Sequence, residues 1–195
     1  MRALPIVMMV LVAGGAPATE RAAIGPGKFE SVLPPGPGIA SVEVRRFLID
    51  RRPVTNAEFL AFVRAHPEWR RDRAPRLFVD SQYLVHWRGP TRLGPAARPA
   101  QPVTRVSWFA AKAYCEAQGA RLPTWYEWEF AAAANETTPD ARRDPAWRQR
   151  MLDWYARPSS GALPDVGQSP ANFYGVEDLH GLVWEWVLDF NALLV

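Results

Sequence analysis

Two carboxylates near the end of the chain are the residues best suited to bind a cation. Asp178 and Glu185 lie on either side of Gly181 in the segment GVEDLHGLVWEW, residues 175–186. A hard cation such as calcium takes about six to eight oxygen ligands, and a bent segment can supply carboxylates at both ends with carbonyl groups between them. The alternative is that Asp178 forms a local turn and that Glu185 pairs with a buried arginine such as Arg121.

Two further side chains could be reactive, but their surroundings favour structural roles. Cys115 is the only cysteine, and its helix neighbours Trp108 and Ala111 predict a buried core thiol of raised pKa rather than a nucleophile. His180 has no cysteine or second histidine at ligand spacing, so a structural role is favoured over metal binding or general-base catalysis. No sequence motif supports a hydrolase, a nucleotide-dependent enzyme or a zinc site.

The charge pattern argues against a nucleic-acid partner. The formal net charge is +3, carried almost entirely by arginines that are interspersed with Asp and Glu. A nucleic-acid surface would instead show basic residues clustered on one element. The single cysteine also excludes an internal disulfide, so stability must come from packing or from a bound ion.

The N-terminal residues are typical of a secretory signal peptide. Arg2 precedes an apolar run over residues 3–13, and Ala16-Pro17-Ala18 forms a small-residue cleavage site. We expect residues 1–18 to be removed, which gives a secreted or periplasmic protein with no membrane attachment after cleavage. The alternative is an uncleaved N-terminal anchor.

The remaining chain predicts one α+β domain that is irregular and rich in loops. Residues 19–41 are rich in Gly and Pro and predict an extended lead-in, so folding is expected to begin near Val42 and the domain to cover 42–195. A strand is predicted from Val42 to Ile49, ending before Pro53. Thr55 and Glu58 have capping-box spacing, which predicts a helix to about Ala65.

Three further helices follow from start signals of the same kind. Ser107 is an N-cap candidate for a helix that ends at Gln118, where Gly119 can adopt the left-handed conformation. Thr124 and Glu127 form a second capping box for a helix over 125–134. Asp144-Pro145 begins a helix to about Tyr155, and residues 157–172 are predicted to be loop.

Four sequence motifs, in order, resemble those of the formylglycine-generating enzyme (sulfatase-modifying factor) family. The matching segments are residues 53–59 (PVTNAEF), 102–108 (PVTRVSW), 121–130 (RLPTWYEWEF) and 175–186. The family patterns read close to V-T-N-x-x-F, P-V-x-x-V-S-W, R-L-P-T-E-x-E-W-E-Y and G-L-x-D-M-x-G-N-V-W-E-W. The resemblance implies the family's irregular single domain, which is related to C-type lectin-like folds.

The resemblance also implies an activity whose machinery this chain lacks. In active members, copper held by two cysteines uses oxygen to convert a cysteine of a partner, a secreted protein or peptide such as a sulfatase, into formylglycine. Soft thiolates suit cuprous copper. Those cysteines lie beyond the W-E-W element, whereas the only cysteine here is Cys115. We therefore expect a C-terminally incomplete domain that has no catalytic or copper-binding residues and is inactive as it stands.

One calcium site is implied by the same resemblance. The family's ligands match the carboxylates of Asp178 and Glu185 and the backbone carbonyls of Gly181 and Val183. Leu182 replaces the family's usual asparagine without removing a ligand. The family's other calcium pattern has no match between residues 134 and 170, so a single ion is expected.

The sequence leaves three functions open. The first is a family member linked to cysteine oxidation, and the second is a non-catalytic, lectin-like binding or maturation module for a secreted partner. The third, an iron-dependent sulfoxide synthase, is disfavoured because those relatives use a histidine triad on an additional domain that is not found upstream here. Four tryptophans could line a peptide groove in the second case, although most are expected in the core and Trp125 is expected to be the exception. They are Trp125, Trp128, Trp184 and Trp186.

Overall fold

The computed structural model describes residues 20–158 and 161–190. Over these residues the chain is a small mixed α/β domain in which long loops join short elements. The strands are β1 (Arg21–Ile24), β2 (Gly27–Phe29), β3 (Val42–Val44) and β4 (Phe47–Asp50). The helices are α1 (Asn56–Ala65), α2 (Trp108–Ala117), α3 (Trp125–Ala132) and α4 (Pro145–Tyr155), with a short 3₁₀ turn at Pro67–Trp69.

The strands form two antiparallel pairs. β1 pairs with β4, and β2 pairs with β3. The single strand predicted from Val42 to Ile49 is therefore two strands in different sheets. The exposed pair Arg45 and Arg46 separates them, because two successive solvent-facing residues break the alternation that one continuous strand requires.

The prediction that folding begins near Val42 is wrong. Residues 21–29, which lie in the predicted lead-in, supply β1 and β2. Ala22 and Ile24 are buried and alternate with exposed Arg21 and Ala23, which is the period-two pattern of a half-buried strand. This pattern is only four residues long and is followed by many glycines and prolines. The sequence alone therefore did not indicate a strand here.

The four predicted helices are confirmed, together with their N-caps. In α1 the Thr55 hydroxyl accepts from the Glu58 N–H, and the Glu58 carboxylate accepts from the Thr55 N–H at 2.7 Å. Thr124 and Glu127 make the same reciprocal pair at the start of α3. Ser107 and Asp144 cap α2 and α4 through their side chains.

Two apolar clusters form the core. The first packs α1 against α2 and the loop that carries Trp87, and it includes Phe59, Val63 and Tyr114. The second packs β1 against α3 and the segment around Leu179. The two clusters are separate, so the space between them is available for a cavity.

Asn56 connects the first cluster to the loop before α2. It is 1% exposed, donates to the carbonyls of Arg98 and Gln101 at 3.1 and 3.3 Å, and accepts from the Trp87 indole N–H at 2.9 Å. A buried amide with partners for both its donor and its acceptor fixes the relative position of these segments. This contact gives a physical reason for asparagine in the V-T-N motif.

Two sequence expectations concern the membrane and the N-terminus. Among the residues that the structure describes, no helix is long and apolar enough to cross a bilayer. The predicted signal peptide, residues 1–18, lies outside the described residues.

Candidate functional site

A cavity of about 520 Å³ lies between the two apolar clusters. Its walls are β4, one face of α2, the segment that leads into α3, and residues 176–186. Both clusters contribute to the lining, Phe59 and Val106 from the first and Phe47 and Leu179 from the second. A cavity of this volume is within the usual size of ligand-binding sites in proteins.

Cys115 lies in the α2 wall of this cavity. The residue is partly buried, and the pKa of its thiol is raised to about 11, mainly by burial and in part by the negative charge of Asp50. A thiol of that pKa is almost entirely protonated near neutral pH and is a poor nucleophile or metal ligand. The sequence likewise predicted a thiol of raised pKa at Cys115 that is not a nucleophile.

The predicted buried face of α2 is nevertheless wrong. Ala110 and Tyr114 are the buried residues, whereas Trp108, Ala111 and Cys115 are only partly buried. Ala111 and Cys115 line the cavity, so this face of the helix meets an open space where a packed element was expected.

The family's copper chemistry does not fit the residues present. Two thiolates are needed to hold cuprous copper in the manner that the resemblance implies. The 195 residues contain one cysteine, and its pKa of about 11 opposes thiolate formation. No copper-dependent step can be assigned to this chain.

Asp178 holds its own loop together. It is 6% exposed, and its carboxylate accepts from the N–H of Gly167 and from both the N–H and the hydroxyl of Ser169. Its own N–H donates to the Ser169 hydroxyl at 2.7 Å. Asp178 therefore closes the loop of residues 167–178 instead of forming the local turn that the sequence alternative predicted, and three donor groups of this loop already bind its carboxylate.

The carboxylate of Glu185 has a strongly raised pKa. Its pKa is raised to about 7, mainly by burial and in smaller part by the negative charge of Asp178, whereas the hydrogen bond from the Trp128 indole N–H at 2.6 Å lowers it. The alternative pairing of Glu185 with Arg121 is wrong. Arg121 instead forms an ion pair with Glu127 at 2.6 Å, because the capping box already holds that carboxylate beside it.

The predicted calcium ligands fit a cation in part. Among the described residues, nothing donates a hydrogen bond to the carbonyls of Gly181 or Val183, and no basic side chain contributes to the pKa of Glu185. Gly181 has φ +93°, which bends the segment between the two carboxylates. Asp178 is the least available ligand, because its loop already occupies most of its acceptor capacity. No group of three or more Cys, His, Asp or Glu side chains able to hold a metal occurs in the described residues.

His180 occupies a structural position. Its ring lies between those of Trp128 and Trp147, with centroids 5.7 Å from each, and its Nε2 lies 2.8 Å from the Ala132 carbonyl oxygen. Burial lowers the pKa of His180, so the ring is neutral near pH 7 and its Nε2–H donates. This geometry agrees with the structural role expected from the sequence.

The tryptophan expectations need correction. Trp125 stacks on Trp128 with ring centroids 6.0 Å apart, whereas Trp184 is 78% exposed and Trp186 38% exposed. Trp184 lies 5.7 Å from Trp154 and 5.4 Å from Tyr155, between ring centroids. The most exposed of the four tryptophans is thus Trp184 at the cavity wall, and its place in the family motif gave no sign of exposure.

The segment after Trp184 is held against α2 and α3 by contacts that sequence reasoning missed. The indole N–H groups of Trp186 and Trp108 donate to the carbonyls of Val106 and Val187, both at 2.9 Å. Asp189 accepts from the Trp125 N–H at 2.8 Å, at the first turn of α3. An aspartate at a helix N-terminus satisfies a free N–H and complements the helix dipole. Its distance in sequence from α3 concealed this role.

The comparison with known proteins establishes the family. Residues 2–192 match the sulfatase-modifying factor enzyme 1-like domain. The chain therefore belongs to the sulfatase-modifying factor family, which confirms the resemblance carried by the four motifs.

Its relatives carry three different names. The chain is 32% identical over 195 aligned residues to a formylglycine-generating enzyme of Streptomyces coelicolor, over 78% of this chain. It is 33% identical to the inactive C-alpha-formylglycine-generating enzyme 2 of Bos taurus, over 76% of this chain. It is 35% identical to a hercynine oxygenase of Mycobacterium tuberculosis, over 74% of this chain. The matches span 60%, 61% and 38% of the respective relatives.

Proposed function

We propose that this chain is the peptide-holding part of an exported formylglycine-generating domain, and that it does not itself oxidise cysteine. Its partner is a secreted protein such as a sulfatase, an extended segment of which lies in the cavity. The observation that carries this proposal is that the cavity of about 520 Å³ contains a single sulfur, the inert thiol of Cys115. The cavity offers a place for a peptide but no pair of thiolates.

The link to oxidation of a protein cysteine rests on family membership. One relative is named a formylglycine-generating enzyme and another is named an inactive form of such an enzyme. The chemistry of active members would require copper and oxygen, and the residues of this chain supply no cuprous site. Within this proposal the chain contributes the fold, the cavity and the position of the partner segment.

The second candidate is a non-catalytic binding or maturation module on a C-type lectin-like scaffold. The observation that favours it is the aromatic group formed by exposed Trp184 at the cavity wall with exposed Tyr155 and half-buried Trp154. Exposed aromatic side chains are frequent at binding surfaces because they offer a large contact area. Such a module would use the same cavity without ever acquiring a catalytic pair.

A single calcium ion is part of the proposal. Glu185 and the carbonyls of Gly181 and Val183 would hold it, with Asp178 as a further carboxylate ligand. A cation would neutralise two carboxylates that lie close enough for the charge of Asp178 to raise the pKa of Glu185, and no basic side chain contributes to that pKa. It would also fix residues 178–185, which form one wall of the cavity.

A binding assay with a cavity-filling variant tests the proposed function. A fluorescein-labelled C-x-P-x-R peptide should raise its anisotropy in a saturable way when the protein is added. Ala111→Trp, which fills the cavity from α2, should reduce the affinity at least about tenfold, corresponding to roughly 1.4 kcal/mol. Ala117→Trp is the matched control, because Ala117 is exposed on the same helix and does not line the cavity.

Two outcomes would contradict the proposal. One is the absence of saturable binding to the folded protein. The other is equal affinity of the wild type and Ala111→Trp, which would place the peptide outside the cavity.

A further inference from the structure

His86 has a ring whose polar atoms are buried without hydrogen bonds. The residue as a whole is partly buried, and both of its ring nitrogens are shielded from solvent and have no hydrogen-bond partner among the described residues. Buried polar groups in folded proteins nearly always have such a partner. The site can hold the neutral ring, whereas a proton on this ring would place an unpaired charge inside the structure.

Two arginines from other parts of the chain act on His86 through their charge. Arg71 lies after the 3₁₀ turn, and Arg105 lies before α2. Burial is the largest cause of the lowered pKa of His86, the positive charges of Arg105 and Arg71 lower it further, and no described carboxylate contributes. The ring is therefore neutral near pH 7, and its protonation would add a third cation to this group.

The charged and titratable groups on the same segment as His86 do not compensate such a cation. This segment, residues 80–88, contains Asp80, Tyr83 and Arg88 besides His86. Asp80 and Arg88 are exposed, and neither contributes to the pKa of His86. Burial raises the pKa of Tyr83, so its hydroxyl stays neutral.

Arg71 also fixes the backbone of the 80–88 segment. Its guanidinium donates to the carbonyls of Leu84, Val85 and Trp87, at 3.1, 3.4 and 2.8 Å between Nη1 and the oxygens. The group that holds the segment in place is therefore one of the two that repel a protonated His86. A proton on the ring weakens the arrangement that keeps the segment closed.

The closed segment is strained at the point where it meets the residues before α2. Leu84 has φ 49° and Arg105 has φ 55°, in the left-handed region that residues other than glycine rarely adopt. The Leu84 N–H donates to the Arg105 carbonyl at 3.0 Å, so one hydrogen bond joins the two strained residues. Strain of this kind persists only where the surrounding contacts enforce it, and loss of those contacts releases it.

The 80–88 segment supports one side of the cavity. Leu84 and Trp87 are buried in the first apolar cluster, and the Trp87 ring lies 6.4 Å from the Phe59 ring, between centroids. Phe59 lines the cavity, and so does Val106, which follows Arg105. Release of the segment therefore reaches the cavity wall.

We propose that the 80–88 segment is an acid-sensitive latch, which opens when His86 is protonated and repelled by Arg71 and Arg105 while α3 and the second apolar cluster stay folded. The inference goes beyond the proposed function and does not rest on it. Its parts already pack against one another within the described residues, so it is independent of what occupies the cavity.

Hydrogen exchange measured at several pH values tests the latch. The amides of Leu84 and Trp87 donate to the carbonyls of Arg105 and Leu84, so their protection, relative to the intrinsic exchange rate at each pH, reports opening of the segment. The closed state disfavours the proton, so opening becomes more favourable as the pH falls below the ordinary histidine pKa of 6.5, by up to about tenfold per pH unit. Between about pH 7 and about pH 5 we expect protection to fall at least about threefold.

His86→Phe removes the titrating group and keeps an aromatic ring. The protection of the Leu84 and Trp87 amides in this variant should not fall in acid, and the difference from the wild type should be confined to the 80–88 segment. His66→Gln is the matched control, because this histidine is paired with Glu68, at 3.5 Å between ring nitrogen and carboxylate oxygen, instead of being enclosed by cations. The control should lose protection like the wild type.

Arg105→Gln provides a second test that keeps His86 in place. Removal of one of the two repelling cations should raise the pKa of His86, followed by NMR of the ring protons, and should reduce the loss of protection in acid. Arg73→Gln is its control, because this exposed arginine lies near Arg71 in sequence and does not contribute to the pKa of His86.

Four results would overturn the latch. They are constant protection of the wild type between the two pH values, equal loss of protection in the wild type and His86→Phe, an unchanged pKa of His86 in Arg105→Gln, and an equal effect of His86→Phe on the amides of α3. The last result would mean that His86 acts on unfolding of the whole domain. None of these measurements uses a peptide, so the latch and the proposed function can fail separately.

Discussion

At the scale of single residues, Glu185 has a carboxylate whose pKa is raised to about 7. This carboxylate lies beside Trp128 and near Asp178, and burial together with the Asp178 charge makes it hold a proton more tightly than an exposed glutamate does. Asp178 is compensated differently, by hydrogen bonds from Gly167 and Ser169. The two carboxylates that looked equivalent in the sequence therefore lie in different surroundings: Glu185 has a raised pKa, and Asp178 holds a loop.

The raised pKa of Glu185 predicts that calcium-free protein loses stability as the pH rises. The folded state holds the proton more tightly than the unfolded state, so stability falls between the ordinary glutamate pKa of 4.5 and about pH 7. The slope approaches about 1.4 kcal/mol per pH unit. Urea unfolding in the presence of a chelator measures it.

The matched variant for this pH dependence is Glu185→Gln, which cannot titrate. Its stability should lack the decrease seen for the wild type. His180 has a lowered pKa and contributes with the opposite sign, since burial of its neutral form favours the folded state at higher pH. Subtracting the stability of the variant from that of the wild type at each pH removes the contribution of His180. Parallel curves for the two proteins would contradict the assignment to Glu185.

Calcium should raise the melting temperature if the proposed site exists. An ion that binds only the folded state stabilises it by about 2.7 kcal/mol at a hundred times its Kd. Glu185→Gln and Asp178→Ala should abolish this response, and Asp178→Ala should also lower the melting temperature without calcium, because donors of Gly167 and Ser169 lose their acceptor.

The control for the calcium response is Glu177→Gln, an acidic residue of the same segment that is not a proposed ligand. This variant should respond to calcium like the wild type. Identical melting of the wild type with calcium and with chelator would show that the ion does not bind.

At the scale of elements, helices were predicted more completely than strands because their start signals are local. A capping box places both partners within one turn, so Thr55 with Glu58 and Thr124 with Glu127 are visible in the sequence. β1 and β2 were missed because each pairs with a strand beyond the intervening glycine-rich segment, and short strands gain stability only from such pairing.

The two capping boxes predict separate stability losses. Thr55→Ala and Thr124→Ala should each lower the free energy of unfolding by about 1 kcal/mol, because each removes the acceptor for one helical N–H. Thr104→Ala is the control, since the Thr104 hydroxyl makes no hydrogen bond within the described residues. Denaturant titration measures all three. A loss no greater than that of the control would contradict the assigned caps.

At the scale of the whole molecule, the cavity is a consequence of how the two apolar clusters pack. Its lining combines residues that are far apart in sequence, such as Leu48, Cys115 and Glu185. No spacing rule brings these residues together, so the sequence predicted the family and one wall of the site, residues 178–185, but not the cavity. Nor does any spacing rule predict the exposure of Trp184 or the contact of Asp189 with α3.

The predicted export of the chain is tested at its N-terminus. Ala16 and Ala18 supply the small residues that signal peptidase requires, so mature protein recovered from the exported fraction should begin at Thr19. N-terminal sequencing checks this expectation. Recovery of exported protein that still begins with Met1 would instead support the uncleaved anchor.

The central claim is that this chain holds a partner segment without oxidising it, and the mass of the peptide tests it most directly. The purified protein is incubated with a C-x-P-x-R peptide, copper and oxygen, and the peptide is then analysed by mass spectrometry. Because Cys115 is the only cysteine and its thiol has a pKa of about 11, the peptide mass should remain unchanged. Formation of formylglycine by the wild type, and its loss in Cys115→Ser, would contradict this account.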